Sequence, residues 1–259
     1  APSPGPITQR DRTRPVAPAA LRSPAMPSWL ALAASCAGLL GHAAAFRVQL
    51  LDCPAAGAAS VVEFMARNPN NSTKLRNGCM RLNGCSPSSS RAKQDATVAA
   101  GGLEAIVAAM RRFPDDKELQ HRCIGALASP ILFNRENGLR AGRLGGLHLL
   151  LKAYARWMDD PVITSHGGDI GCFLDYVDEN RAILRELGGV HLLVQNIRNY
   201  FHGKYSDWGY QPVKNSLFGL SSGCWKNSDL CHEEGFVELA IRLMTEHTSE
   251  DKIAEETLQ

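Results

Sequence analysis

One pattern returns along this chain at a nearly fixed interval. Each copy opens on a glycine, usually a glycine pair, and continues into an apolar-rich run. The glycine from which each copy is counted lies 45, 44, 43 and 46 residues after the previous one, at Gly57, Gly102, Gly146, Gly189 and Gly235. A period in this range is the sequence mark of a helical solenoid, whose units bury their apolar faces only by stacking. The chain therefore predicts an all-α fold of stacked helical repeats.

Within each copy the apolar residues occupy the same positions, +1, +4, +5 and +8 from that glycine. Apolar residues with this spacing form one stripe along an α-helix. A single helix cannot bury such a stripe alone, so the stripes are predicted to form the core of the stack. The residues concerned are Ala58, Val61, Val62, Met65, Leu103, Ile106, Val107, Met110, Leu147, Leu150, Leu151, Tyr154, Val190, Leu193, Val194, Ile197, Phe236, Leu239, Ala240 and Leu243.

Two further segments separate one glycine-led helix from the next. A second helical run, such as 117–127, follows a polar loop, and an asparagine-led lead-in such as Asn137 to Gly146 or Asn180 to Gly189 completes the unit. This order resembles the armadillo repeat family, through the N-x-x-x-[ILV]-x-x-x-G-G lead-in, the G-G-[LV]-x-x-[IL]-[VL] helix and the Ala126-Leu127 ending of the second helix.

The resemblance covers about residues 50–259. It implies a right-handed superhelix of three-helix repeats, in which the glycine-led third helices line a concave groove, and a role in binding other proteins. The predicted function is a non-enzymatic scaffold that binds a peptide or protein partner along this groove. The alternative is a regulatory or substrate-recruiting segment of a larger protein, such as a ubiquitin-ligase adaptor or a kinase-linked module.

Composition and motifs narrow the function classes further. A net charge of +2 gives no bulk attraction for nucleic acid, so no nucleic-acid partner is expected. The sequence contains no G-x-x-x-x-G-K-[ST], H-E-x-x-H or C-x-x-C motif. We therefore predict no enzymatic activity, no cofactor and no metal site.

The eight cysteines are too sparse in 259 residues to predict a disulfide scaffold. Cys123 and Cys172 align in successive second helices with Ser216, which predicts that both pack as small, free thiols where helices approach closely. Cys224, Cys231 and His232 match no structural zinc spacing.

Two other residue pairs stand out in the pattern. His148 and His191 share position +2 of successive repeats, and without a neighbouring carboxylate or thiol they are predicted to lie on the helix surface. The sequons of Asn70 and Asn71 lie in a predicted loop and matter only if the chain enters the secretory route.

Arginines at the ends of the glycine-led helices are the predicted partner-binding residues. A ladder of guanidinium groups one repeat apart suits an acidic or phosphorylated peptide, since arginine binds carboxylate and phosphate in a bidentate way. The alternative is that these cations complement the helix dipoles. The ladder comprises Arg67, Arg112, Arg156 and Asn199 at position +10, with Arg111 and Arg198 at position +9.

A longer loop follows Asn199 and is rich in aromatic residues, among them Tyr205, Trp208 and Tyr210. On a rigid scaffold such a loop favours a binding hot spot. It could equally fold back and seal the solenoid, because aromatic burial is favourable in either place.

The ends of the chain differ from the repeats. Residues 1–25 are rich in proline and arginine and are expected to be disordered. Residues 26–46 read either as a targeting signal or as an Ala-rich helix that caps the stack. The solenoid then spans 47–259 and is expected to be truncated at its C-terminus. The expected localisation is cytoplasmic, or secretory or plastidic if Met26 starts a signal cleaved before Phe46, and no stable membrane span is expected.

Overall fold

A computed structural model of the chain describes residues 52–174, 177–201, 211–224 and 227–246. All regular secondary structure in these ranges is helical, which confirms the all-α prediction. The glycine-led helices are α1 (Gly57–Ala66), α4 (Gly102–Arg112), α7 (Gly146–Arg156), α11 (Gly189–Phe201) and α14 (Phe236–Glu246). The second helices are α2 (Ser72–Cys85), α5 (Lys117–Ile131), α9 (Gly167–Leu174), which follows the short α8 (Pro161–Thr164), and α12 (Gln211–Cys224). The lead-in helices are α3 (Arg91–Ala99), α6 (Arg135–Arg143), α10 (Asp178–Glu186) and α13 (Ser228–Glu233).

Helices of the same kind contact one another from repeat to repeat. The second helices α2, α5, α9 and α12 touch in that order, and the glycine-led helices α1, α4, α7, α11 and α14 do the same. Each repeat therefore packs mainly against the repeats before and after it, as a stacked array requires.

The predicted apolar stripe forms the core. Leu103, Leu147 and Val190 are fully buried at position +1, and the +4, +5 and +8 positions of the same three helices are buried as well. Burial is less complete in the outermost copies, where Ala58 and Phe236 are only partly buried against the core. Among the described residues, each of these two helices contacts another glycine-led helix on one side only.

Glycine makes the turn into each glycine-led helix. The first glycine of the pairs, at Gly101 and Gly145, has φ of 86° and 84°, a left-handed conformation that side chains with a Cβ rarely adopt. A Cβ on Gly102, the second glycine, would lie 2.8 Å from the Thr97 carbonyl oxygen. In the copies with a single glycine, the positive φ is at that glycine, Gly57 or Gly235, one position later than in the copies with a pair. The buried residues of these copies still lie at the same positions counted from it.

The lead-in asparagines hydrogen-bond to the second helix of their own repeat, and Asn180 also bonds to the preceding lead-in helix. Asn137 donates through Nδ2 to the carbonyl of Pro130 at 2.9 Å, near the end of the second helix α5. Asn180 donates in the same way to Phe173, at 2.7 Å, and also to Gly138 of the preceding lead-in helix, at 3.1 Å. Both asparagines are buried, so each satisfies carbonyl groups that water does not reach.

Gly142 makes room for Asn180, and this gives a first prediction. A Cβ on Gly142 would lie 1.8 Å from Asn180 Oδ1, whereas a Cβ on Gly125 would meet nothing closer than 3.6 Å. Gly142→Ala should lower the free energy of unfolding by about 1–2 kcal/mol, because it displaces a buried amide from its partners. Gly125→Ala is the matched control and should raise stability by up to about 1 kcal/mol, since alanine favours a helix interior. Urea titrations measure both. Equal effects of the two variants would contradict the packing role of Gly142.

Buried polar contacts also cross between repeats. The Tyr154 hydroxyl of α7 lies 3.0 Å from Ser216 Oγ of α12, and Asn196 Nδ2 of α11 donates to the same oxygen at 2.7 Å. Burial raises the pKa of Tyr154, which keeps the phenol neutral. The small residue at position 216 therefore provides a hydrogen-bonding group as well as space.

The expectation that the cysteines would not form a disulfide framework is wrong. Disulfide bonds join Cys53 to Cys85, Cys79 to Cys123, and Cys224 to Cys231. Cys123 is thus a cross-link between α5 and α2 and not a free thiol, because Cys79 occupies the facing position one repeat earlier. Cys172 takes part in no disulfide bond and is buried, as expected. The Cys224–Cys231 bond also removes both thiols that were considered beside His232.

The expectations for residues 1–25 and 26–46, and for truncation at the C-terminus, fall outside the described residues. Among the helices that the structure describes, none combines the length and the apolar character needed to cross a membrane.

Candidate functional site

Successive second helices lie closer together than successive glycine-led helices do. In the second-helix layer a Cβ on Gly219 of α12 would lie 2.5 Å from the carbonyl oxygen of Gly167 of α9. A Cβ on Gly171 would lie 3.6 Å from the Cα of Gly219. Backbone therefore meets backbone in this layer, which brings its helices close together.

Solvent exposure separates the same two layers. On α5 the side of the helix away from the core carries Arg122, Gly125 and Ser129, all of which are half-buried. On the glycine-led helix α7 the corresponding outward residues, Lys152 and Ala155, are exposed. Neighbouring repeats thus shield the outward side of the second helices and leave the glycine-led helices open.

Polar side chains run across the second-helix layer and link its repeats. Ser129 of α5 donates to Asn83 Oδ1 of α2. His121 Nδ1 of α5 lies 2.7 Å from His166 Nε2, between α8 and α9, and His166 Nδ1 lies 2.6 Å from Asp169 Oδ2. Asn215 of α12 donates to the Ser165 carbonyl. We call this set the polar strip; it consists of Asn83, His121, Ser129, His166, Asp169 and Asn215.

The two histidines of the polar strip and Asp169 form a chain of hydrogen bonds that determines which ring nitrogens carry protons. When both rings are neutral, His166 donates through Nδ1 to Asp169, and its Nε2 accepts from His121 Nδ1. Protonation of His121 would place a positive charge beside His166 and Arg122. Burial, and then these two neighbours, lower the pKa of His121 to about 3. His121 therefore stays neutral in the folded chain at physiological pH.

The position +10 arginines border the second helices. Arg112 donates through Nη2 to Asn70 Oδ1 at 2.5 Å, and Arg156 forms an ion pair with Asp115. Asn70 and Asp115 each lie two residues before the start of a second helix, α2 and α5. Arg112 and Arg156 thus occupy equivalent places along one edge of the second-helix layer. The Arg156 guanidinium also lies 5.3 Å from the centroid of the Trp157 ring.

The other predicted ladder residues are not all equivalent. Arg111 donates to the Leu144 carbonyl at 2.6 Å, and Arg198 donates to the Glu234 carbonyl at 2.8 Å. Leu144 and Glu234 each directly precede the glycine at which the chain turns into the next glycine-led helix. Arg67 pairs with Glu63 on its own helix, and Asn199 is half-buried. Tyr205, Trp208 and Tyr210 lie outside the described residues.

The histidines that the sequence singled out have a different setting. His191 Nδ1 lies 2.8 Å from Glu234 Oε2, so the expectation that it has no carboxylate neighbour is wrong. His148 Nδ1 is buried and has no hydrogen-bond partner among the described residues. Within the same ranges no group of three or more His, Cys, Asp or Glu side chains is arranged to hold a metal ion.

Comparison with known proteins bears on the fold alone. No protein-family model matches this chain, and no curated protein matches it. Among solved structures, the chain is similar to the crystal structure of an engineered protein from the Northeast Structural Genomics Consortium. The two align with a TM-score of 0.64 and 19% sequence identity over 78% of this chain and 76% of that chain. At this identity the likeness concerns backbone arrangement and carries no functional information.

Proposed function

We propose that this chain is an armadillo-type scaffold without enzymatic activity, which binds an acidic or phosphorylated segment of a partner protein. The bound segment lies along the second-helix layer, against the polar strip and against Arg111, Arg112 and Arg156, which we call the arginine edge. The observation that carries this proposal is the shielded row of polar side chains that runs from α2 to α12.

The choice of layer differs from the one that the family resemblance implied. In a curved stack the inner side is the one where successive units are closest and where side chains are most shielded. Both properties belong to the second helices, through the Gly167–Gly219 approach and the half-buried Arg122 and Ser129. We therefore place the concave groove on the second helices and not on the glycine-led helices.

The arginine edge supplies the preference for an anionic partner. Arg112 is oriented by the amide oxygen of Asn70, and Arg111 by the carbonyl of Leu144. Both contacts are to neutral oxygens, so they hold the side chain without cancelling its charge. A guanidinium group has five N–H donors, and a single hydrogen bond leaves the others for a carboxylate or phosphate. Arg156, which is paired with Asp115, would have to exchange that partner for the ligand.

Charge reversal at the edge tests the proposal. The full chain is titrated against an array of peptides that contains acidic, phosphorylated and matched basic sequences. Wild-type protein should bind acidic or phosphorylated peptides selectively, and the double variant Arg112→Glu/Arg156→Glu should bind them at least about tenfold more weakly, because each reversal replaces attraction by repulsion. The loop residue Trp208 is tested separately by Trp208→Ala, with an expected loss of at least about tenfold if the loop forms a hot spot.

Two controls accompany this test. Lys93→Glu/Arg143→Glu makes the same change in net charge on the exposed surface of lead-in helices α3 and α6 and should leave affinity within about twofold of wild type. Ser129→Arg, which fills the second-helix layer, should block binding, whereas Ala155→Arg on α7 should not. Selective binding that survives both Ser129→Arg and the edge reversal would refute the site. A wild-type chain that binds no acidic or phosphorylated peptide would refute the proposed ligand class.

A further inference from the structure

The disulfide bonds constrain where this chain folds. Three pairs of cysteines are joined, and the Cys79–Cys123 pair is fully buried between two repeats. Structural disulfides form and persist in secretory and other oxidising compartments and are rare where thiols are kept reduced. Three such bonds, one of which cross-links neighbouring repeats, therefore favour maturation in an oxidising compartment. This argument does not depend on the proposed binding function.

The same chain carries an acceptor motif for the modification typical of that route. Asn70 and Asn71 are the only asparagines in the sequence that are followed by any residue except proline and then by serine or threonine. Both lie in the loop between α1 and α2, and both are exposed. In a secreted chain an exposed loop with this motif is where an N-linked glycan is attached.

The atoms of the loop are compatible with a glycan in the folded state. Asn71 caps α2 by accepting the Lys74 backbone N–H on Oδ1 at 2.9 Å, and Asn70 accepts from Arg112 on Oδ1 at 2.5 Å. Neither side chain donates through Nδ2 to another described residue. N-glycosylation uses Nδ2 and keeps the amide oxygen, so a glycan on either residue would leave these hydrogen bonds in place.

We propose that this protein matures in the secretory pathway and carries one N-linked glycan on the Asn70–Asn71 loop. In the transfer, the amide Nδ2 forms a bond to C1 of an oligosaccharide carried on a lipid pyrophosphate. The bond from C1 to the pyrophosphate oxygen breaks, the amide loses one proton, and the lipid pyrophosphate leaves. Because the two asparagines are adjacent, one glycan occupies the space of both.

The protein isolated from its natural source provides the decisive test. It is alkylated without reductant, digested with trypsin, and treated with N-glycosidase F in ¹⁸O-water. The peptide 68–74 should gain one labelled aspartate, with Asn68 as an internal control that stays asparagine. Cys53, Cys79, Cys85, Cys123, Cys224 and Cys231 should escape alkylation. Recovery of the peptide with both asparagines unmodified would overturn the glycan, and alkylation of these cysteines would overturn the compartment.

Matched variants of the full chain, secreted from eukaryotic cells, identify the acceptor. Ser72→Ala removes only the Asn70 motif, and Thr73→Ala removes only the Asn71 motif, so both variants keep the Asn71 cap of α2. The glycan should disappear in one of the two single variants and in the Ser72→Ala/Thr73→Ala double variant. A glycan that persists in the double variant would place the modification elsewhere and refute the assignment.

Discussion

Replacing Cys79 and Cys123 together with alanine should lower the free energy of unfolding by about 4 kcal/mol. The bond joins residues 44 apart in sequence, across the contact between α2 and α5. A cross-link stabilises mainly by restricting the unfolded chain, and the restriction grows with the logarithm of the closed loop, which gives this magnitude for a loop of that length. Urea unfolding under non-reducing conditions, followed by far-ultraviolet circular dichroism, measures the loss.

The Cys224–Cys231 bond provides the control for loop length. Its two cysteines are separated by only 7 positions, so the same relation gives about 2 kcal/mol for Cys224→Ala/Cys231→Ala. Reduction of the wild-type chain should lower stability by at least as much as the first double variant does. A Cys79→Ala/Cys123→Ala variant as stable as wild type under oxidising conditions would show that the cross-link does not hold these repeats together.

Acid should weaken the fold by roughly 2 kcal/mol between pH 6.5 and pH 4.5 through His121 alone. Its pKa is about 3 in the folded chain against an ordinary value of 6.5, so over this range the unfolded chain binds a proton that the folded chain refuses. The stabilisation is complete above pH 6.5 and is lost as the pH falls toward the folded pKa, by about 1.4 kcal/mol per pH unit. The groups that face His121 are His166 with its partner Asp169 from the next repeat, and Arg122 on its own helix.

His121→Gln separates this contribution from that of all other titrating groups. Glutamine keeps a donor that can reach His166 Nε2 but has no proton to gain. Urea titrations at pH 7.5, 6.5, 5.5 and 4.5 should show the wild-type chain losing more stability than the variant, by roughly 2 kcal/mol between pH 6.5 and pH 4.5. Parallel curves for wild type and His121→Gln would mean that the buried pair does not resist protonation.

Periodicity predicted the helical class and the core with little error. Residues such as Leu103, Leu150 and Val194 were assigned to the interior from spacing alone and are buried. This succeeds because a helix has a fixed angle per residue, so spacing within one helix determines which side chains share a face. The same period located the glycines at which the chain turns into these helices, where glycine takes a left-handed φ without strain.

Contacts between repeats were harder to predict. Cys79 and Cys123, His121 and His166, and Asn70 and Arg112 are separated by 44, 45 and 42 residues, close to one period. The period thus marks which residues could meet, but most residues have some neighbour at that separation. Which pairs touch depends on how far each helix is rotated relative to the next, and the spacing within a helix does not contain that angle.

The disulfides illustrate the difference most clearly. Cys123 was aligned by sequence with Cys172 in the following repeat, yet its partner lies in the preceding one. Alignment identifies equivalent positions, whereas bonding requires side chains that face each other. Eight cysteines also look few when they are counted per residue. In a stack of repeats, however, even one cysteine pair can cross-link two adjacent units, so the overall cysteine content is a poor guide to whether disulfides form.

Different kinds of interaction connect successive repeats at different boundaries. A disulfide joins α2 to α5, a histidine pair joins α5 to the segment before α9, and a buried tyrosine hydroxyl joins α7 to α12. The units are therefore not interchangeable modules. Deleting the repeat that contains Cys123 would remove the partner of Cys79, and deleting the repeat that contains Tyr154 and His166 would remove the partners of Ser216 and His121. Although the helices look alike, the contacts between repeats are specific to each pair of neighbours. Lengthening or shortening this protein would therefore require redesigning the contacts at each new boundary.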